Sequence, residues 1–372
     1  MSGRQAKPEP SMRAPFRLSA ETAAWLEARA EALDRGELGG PPVLARLAEA
    51  QVFGLGVAPE WGGAPGTDIG HAIEAIADLA RHSLTAAFLA WGQRVVIETL
   101  LRSGNVPLAR RWVPDLMAAR LAGASGLSNV IKSLGGFDRL RIQAREGAGG
   151  WRLDGRIDWI TNAQPDAFVA TAATALPQGG VALVALHHGL PGLQRSADLP
   201  LLGLRGSATA QIDLQDVRVA EDQVLQADAR QILPGLRPRL VGLQCGLSLG
   251  LARAALDVAQ RAGLPGKGLQ PLCDKLNERL EGSASALING VRQDMFVSHP
   301  AALFRLRIAL AEIAQQAVEL ELQATGGAAY LMAPHGGGFA RRWREAAFLP
   351  IVTPSLVQLR AELAKLEAAA QG

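Results

Sequence analysis

The hydrophobic period of this chain changes twice, and that change restricts its possible folds more than any single residue does. From about Ser19 to Ala122 apolar residues recur at the helical spacing of about 3.6. From about Gly123 to Ala229 the spacing shortens to about 2, the repeat of a strand with one buried face. From about Gln231 the helical spacing returns. The expectation is a mostly α chain with a central β domain. Residues 1–15 would be a disordered leader, 16–122 an N-terminal helical domain, 123–229 a β-barrel or sandwich, and 230–372 a four-helix bundle.

Local signals support this order. Ser19 is a candidate N-cap for a helix through Trp25 and Leu26. Further helices are expected over Pro42–Phe53, Asp68–Arg81, Ser83–Arg102 and Asn105–Arg120. Strands are expected at Leu140–Ala144, Trp151–Ala163, Ala167–Thr171, Val181–Leu186 and Ala210–Val219. The bundle would use Leu240–Ala262, Leu272–Arg292, Pro300–Thr325 and Ser355–Ala370.

Composition removes several classes of function. Lys and Arg are interspersed with Asp and Glu, with a net charge of only +3. No basic stripe with interleaved aromatics points to nucleic acid. Arg110-Arg111 and Arg341-Arg342 read as solvated helix faces. The two cysteines, Cys245 and Cys273, lack metal or disulfide spacing, so no metal site is expected. No run of apolar residues approaches the ~20 of a membrane span, and the first residues lack a signal peptide's apolar stretch. A cytoplasmic protein is expected.

Aromatics make up only 5% of the chain, so each tryptophan carries more information than usual. The segment from Trp151 to Ala163 alternates apolar and polar residues on both sides of Asp154-Gly155 and reads as a β-hairpin turning at that pair. Its end, Trp159-Ile-Thr161-Asn-Ala, offers an indole and a hydroxyl on a rigid strand. That pairing suits a planar, hydrogen-bonding ligand such as a flavin.

This segment resembles the flavin-contacting hairpin of the acyl-CoA dehydrogenase family, and other motifs occur in the family's order. They are the loop Gly54-Leu-Gly-Val-Ala-Pro-Glu-Trp-Gly-Gly63, the pair Gly203-Leu-Arg205-Gly-Ser207 and Asp216-Val-Arg-Val, Gln323-Ala-Thr-Gly326-Gly327, and Arg344-Glu345-Ala346. The resemblance implies FAD as cofactor, with contacts from Leu127, Ser128, Trp159, Thr161, Arg261, Gln323, Gly327 and Ser355. Arg261 would touch the FAD of a neighbouring subunit. Arg205 would support the site. A homodimer or homotetramer is implied, assembled through the bundle, whose Ala/Leu-rich helices fit such burial. The implied substrate is a small molecule such as an acyl-CoA, with an electron-transfer partner or oxygen as acceptor.

Both of the family's base positions depart from the pattern. Acyl thioester α,β-dehydrogenation needs a carboxylate to take the α-proton, and Thr353 stands at the family's usual base position. The family's other base position falls near Leu240, again without a carboxylate. Glu345 reads as a structural carboxylate and Asp274 as helix surface. The reading is therefore a flavin-dependent oxidoreductase of acyl-CoA dehydrogenase type with its usual base replaced by Thr353. The alternatives are a flavin-dependent monooxygenase on the same fold, or a non-catalytic partner subunit. Monooxygenase relatives tend to carry a histidine on the wall from the N-terminal domain. Trp91 and Gln93 stand there, and His82 is the histidine in that stretch.

Overall fold

The computed structural model describes residues 16–332 and 338–371. The leader expected over residues 1–15 lies outside them. Six helices come first: α1 (Ala20–Glu27), α2 (Ala30–Arg35), α3 (Pro41–Glu49), α4 (Ile69–His82), α5 (Leu84–Arg102) and α6 (Val106–Met117). Ser19 does cap α1, its hydroxyl accepting from the Thr22 amide.

The chain then forms β1 (Ala122–Ser125), α7 (Ser128–Leu134), β2 (Ile142–Gly147), β3 (Gly150–Ile160), β4 (Phe168–Ala175), β5 (Val181–His187), β6 (Leu193–Arg195), β7 (Ala210–Ala220) and β8 (Val224–Gln226). The strands make one connected eight-stranded sheet in the order β6-β7-β3-β2-β4-β5-β8, with β1 parallel to β4. β5 also approaches β7, so the sheet curls toward itself. The C-terminal part comprises α8 (Ala229–Arg261), α9 (Gln270–Arg292), α10 (Met295–Ser298), α11 (Pro300–Thr325), α12 (Phe339–Phe348) and α13 (Leu356–Gln371). The long helices are α8, α9, α11 and α13.

The Asp154-Gly155 hairpin turn is not observed. β3 runs straight through that pair, and the turn lies at Gly147–Gly150, joining β2 to β3. Asp154-Gly155 is instead an irregularity in the β3–β7 pairing. The Asp154 carboxylate accepts from the Asp216 amide at 2.9 Å. Gly155 has φ +140°, and a Cβ there would lie 2.0 Å from the Arg141 carbonyl oxygen. An Asp-Gly pair thus serves a bulge here.

α8 starts at Ala229, earlier than expected, and passes through Pro234 and Pro238. Its Gly242, Gly246 and Gly250 stand four residues apart and let neighbouring helices close in. A Cβ on Gly250 would lie 1.9 Å from the Ala77 carbonyl oxygen of α4, and one on Gly246 would lie 2.8 Å from that of Ile73.

Two helices, Leu84–Arg102 and Ala229–Arg261, reach membrane-spanning length and hydropathy, contrary to the expectation. Their most apolar windows are 89% and 83% buried within the protein, so both are core helices. The apolar surface of α8 is covered mostly by α4, α5 and α11 of the same chain. Its Ala/Leu content therefore gives no evidence of assembly. Large apolar side chains are exposed elsewhere, at Leu202, Tyr330, Leu331, Met332, Trp343, Ile351 and Val357.

Arg341 and Arg342 are not solvated: both are 6% exposed. Arg341 pairs with Glu345 and Arg342 with Glu321, and both carboxylates are themselves buried. Buried guanidinium is tolerable where a carboxylate is buried with it. Arg110 and Arg111 are exposed, as expected.

Candidate functional site

The three parts of the chain meet around a cavity of about 340 Å³. α5 contributes Phe88, Trp91 and Val95; the sheet contributes Ser125 and Trp159, and the residues next to its strand ends Thr161 and Thr209; α8 contributes Leu240, Val241 and Gln244. Leu127 and the first turns of α7 form one side, and residues 351–354 close another.

The Asp34 carboxylate organises much of this junction. It is buried on α2, accepts from the Leu204 amide at 2.8 Å, and pairs with Arg344 of α12. That fixes the Leu201–Leu204 wall against the bundle. Gln93 does the same for the opposite wall. Its Nε2 donates to the carbonyls of Leu116 and Leu121, at 2.7 and 2.8 Å. Its Oε1 accepts from the Gly123 amide at 2.6 Å and from Asn162 Nδ2 at 2.9 Å. Asn162 has φ +62°, a conformation asparagine tolerates better than most residues. Gln93 therefore holds the turn that follows Trp159 and Thr161.

Of the residues named from sequence, Leu127, Ser128, Trp159, Thr161 and Thr353 line this cavity together. Trp159 is 56% exposed at the cavity, an indole face not covered by the chain itself. Thr161 Oγ1 lies 3.1 Å from Thr209 Oγ1, which lies 2.8 Å from Ser207 Oγ. Three hydroxyls joined by two bonds leave one proton to donate elsewhere. The Thr353 carbonyl accepts from Gln244 Nε2 at 2.9 Å.

The other named residues lie apart. Ser355 is just beyond the cavity and caps α13, its hydroxyl accepting from the Gln358 amide at 3.3 Å. Arg261, Gln323 and Gly327 are exposed at the far end of the bundle, outside this lining. Lys267 Nζ ties that end together by donating to the carbonyls of Ala262 and Ala324. Arg205 is exposed and donates to the Leu201 carbonyl at 2.6 Å. His82 sits 2.7 Å from Glu27, away from the cavity, and Gln93 is wholly buried in its backbone contacts.

The polar inventory of the cavity is one-sided. Among the described residues that line it there is no Asp, Glu, His, Cys or Tyr. Glu345 is fully buried against Arg341 and the Leu84 amide, and burial raises its pKa. Asp274 is exposed on α9 and accepts from Gln270. The cations Lys132, Arg237 and Arg344 do line the cavity. Arg237 is held by both oxygens of Glu362 at 2.8 Å, and Arg344 by Asp34.

Sequence reasoning missed Gln244 and Arg307. Gln244 Oε1 accepts from Arg307 Nε at 2.9 Å, and Arg307 Nη2 donates to the Leu349 carbonyl at 2.6 Å. Arg307 is 0% exposed, and burial pushes its pKa down. No sequence signal separates it from Arg305, the other arginine of α11, because its partners come from α8 and the turn after α12.

Residues 16–120 match the acyl-CoA dehydrogenase N-terminal domain family. The mitochondrial isovaleryl-CoA dehydrogenase of Pongo abelii is 27% identical over 225 residues, covering 57% of this chain and 52% of that one. The L-evernosamine nitrososynthase of a Micromonospora species is 29% identical over 270 residues, covering 68% and 63%. Butyryl-CoA dehydrogenase from Megasphaera elsdenii superposes with TM-score 0.81 at 18% identity, covering 95% of this chain and all of that one. By sequence the chain matches about half the length of the first of these relatives. Its N-terminal part is an acyl-CoA dehydrogenase N-terminal domain, and the chain as a whole has the acyl-CoA dehydrogenase fold.

Proposed function

We propose that this chain with the acyl-CoA dehydrogenase fold is a cytoplasmic, FAD-dependent oxidoreductase that oxygenates its substrate instead of desaturating an acyl thioester. One observation carries the choice: the cavity's described lining holds no group able to take an α-proton at neutral pH. A threonine hydroxyl at position 353 is far too weak a base, and the described lining holds no carboxylate or imidazole to activate it.

The residues fit a flavin. The uncovered Trp159 indole offers a stacking face, and the Thr161–Thr209–Ser207 hydroxyls offer a proton for a polar ring edge. Leu127 would pack on the ring, and Ser128, whose hydroxyl has no partner among the described residues, would donate to it. Ser355 would act from beside the cavity. Arg261, Gln323 and Gly327 are assigned to a flavin held by a second copy, which makes a homodimer or homotetramer part of the proposal. Reduced by an external donor, bound flavin supplies two electrons to O2, one oxygen atom entering the substrate and the other leaving as water. The chain's part is to exclude water and to orient the substrate. Phe88, Trp91, Val95, Leu240 and Phe348 make an apolar wall for that purpose.

The similarity to a nitrososynthase over 68% of the chain supports this reading, while the similarity to acyl-CoA dehydrogenases favours desaturation. The test separates them. FAD-loaded protein is mixed anaerobically with a panel of saturated acyl-CoA compounds, and separately with oxygen and a reduced-flavin donor. The expected result is no flavin bleaching in the first case and substrate-dependent oxygen uptake in the second. Rapid bleaching by any saturated acyl-CoA refutes the proposal. Absence of FAD binding refutes both readings and favours a non-catalytic subunit.

A further inference from the structure

The charges around the cavity are unbalanced. Lys132 lines the cavity from α7, and its ammonium has no hydrogen-bond or ion-pair partner among the described residues. Arg237 and Arg344 line it too, but each has its own carboxylate. Behind the lining lies a second uncompensated cation. Arg307 is completely buried, donates only to the neutral Gln244 and Leu349 oxygens, and keeps Nη1 without any partner. Among the described residues no carboxylate pairs with it, and the titratable group that acts on it is the Cys245 thiol. Gln244, which holds Arg307, itself faces the cavity and holds the Thr353 carbonyl at 2.9 Å.

A guanidinium without a counter-ion is costly to bury, and among the described residues no acid lines the cavity in front of it. The anion that balances such a site must come with the ligand.

We infer that the cavity takes an apolar substrate bearing one anionic group, a carboxylate or a phosphate ester, with Lys132 as its direct partner and Arg307 as a fixed charge acting through Gln244. This deepens the proposed function and rests on the same cavity being the substrate site. Lys132 meets the ligand; Arg307 is a positioning residue. The apolar part of the substrate lies against Trp91, Leu240, Val241 and Phe348.

The experiment uses three probes with one chain length: hexanoate, hexyl phosphate and hexanamide. Binding is read by tryptophan fluorescence, since Trp91 and Trp159 both line the cavity. It is measured in FAD-loaded and in flavin-free protein, so failure of the flavin reading does not hide the answer. The anions should bind about tenfold tighter than the amide, the size of one charge-assisted hydrogen bond. Lys132→Gln should erase most of that ratio, and added salt should weaken the anions but not the amide. The tighter of the two anions identifies the head group. Arg307→Lys, which keeps the charge, should preserve the ratio, and Arg307→Met should reduce it; a purely structural role would change stability and leave the ratio alone. A wild-type ratio near one overturns the inference. So does a Lys132→Gln variant that binds FAD more weakly while keeping its preference for anions, because Lys132 would then serve the cofactor's phosphate.

Discussion

Gln93→Leu removes four hydrogen bonds from one buried side chain, and the structure allows the cost to be apportioned. Two of the four partners keep another bond. The Leu116 carbonyl still accepts from the Ala119 amide at 3.1 Å, and Asn162 Nδ2 still reaches the Gly123 carbonyl at 3.1 Å. For these the loss is the net worth of a hydrogen bond, about 1 kcal/mol each. The Gly123 amide and the Leu121 carbonyl are left with no other partner among the described residues. A buried orphan costs about 2 kcal/mol. Leucine has nearly the same volume and recovers about 2 kcal/mol of apolar transfer. The net expectation is a loss of about 4 kcal/mol, most of it from the two orphans. Urea unfolding followed by circular dichroism checks this through the midpoint at an unchanged slope. The consequence extends to the site, because Gln93 holds Asn162 in its positive-φ conformation and so holds the turn after Thr161. FAD affinity should fall in the same variant under conditions where it is still folded. A loss below about 1 kcal/mol would refute the accounting, because the orphaned groups would then have found water or new partners.

The other predictions address separate parts of the molecule. Trp159→Ala should weaken FAD about tenfold in a fluorescence titration, the order of one stacking contact with its buried area, with unfolding little changed because the indole is 56% exposed; unchanged FAD affinity would remove Trp159 from the cofactor site. Gly250→Ala should cost about 3 kcal/mol or more in the same denaturation assay, since its Cβ would sit 1.9 Å from the Ala77 carbonyl oxygen and α4 must move away. His187 has its pKa lowered from the ordinary 6.5, first by burial and then by the adjacent His188 and Arg111. Its neutral form is favoured in the fold, so its contribution is complete above 6.5 and is lost as pH falls through the lower folded value. Melting temperature should therefore drop less steeply on acidification in His187→Asn than in the parent. Burial raises the Cys245 thiol to about 12, so native protein should resist alkylation there while unfolded protein reacts.

The parts of this fold that were legible in the sequence are those where one local signal has one structural use. Buried helical faces repeat over many residues, so α4, α5, α9 and α11 stood at or near their expected bounds. Short edge strands such as β6 and β8, of three residues each, carry too few positions for a period to show. Asp154-Gly155 misled because the same dipeptide serves a turn or a bulge, and the choice belongs to β7 and the Arg141 carbonyl, which are distant in sequence. Arg341-Arg342 misled for the same reason: whether an arginine is solvated or buried depends on Glu345 and Glu321 being buried beside it.

The cavity follows the same logic. Trp159, Thr161 and Leu127 belong to local motifs, and they do line one cavity. What distinguishes this chain's chemistry is assembled from residues that no motif joins: Thr353 after α12, Gln244 on α8, Arg307 on α11 and Lys132 on α7. Sequence could show that a carboxylate was missing at position 353. Only the packing shows that a buried cation, joined to Thr353 through a single glutamine, stands behind that position. A carboxylate placed at 353 would meet that positive surrounding, which would lower its pKa and weaken it as a base. Thr353→Glu alone should therefore not restore dehydrogenation of an acyl-CoA, measured by anaerobic flavin bleaching. Should that one substitution produce rapid bleaching, the charge of Arg307 does not reach the cavity, and the substrate assignment built on it fails with it.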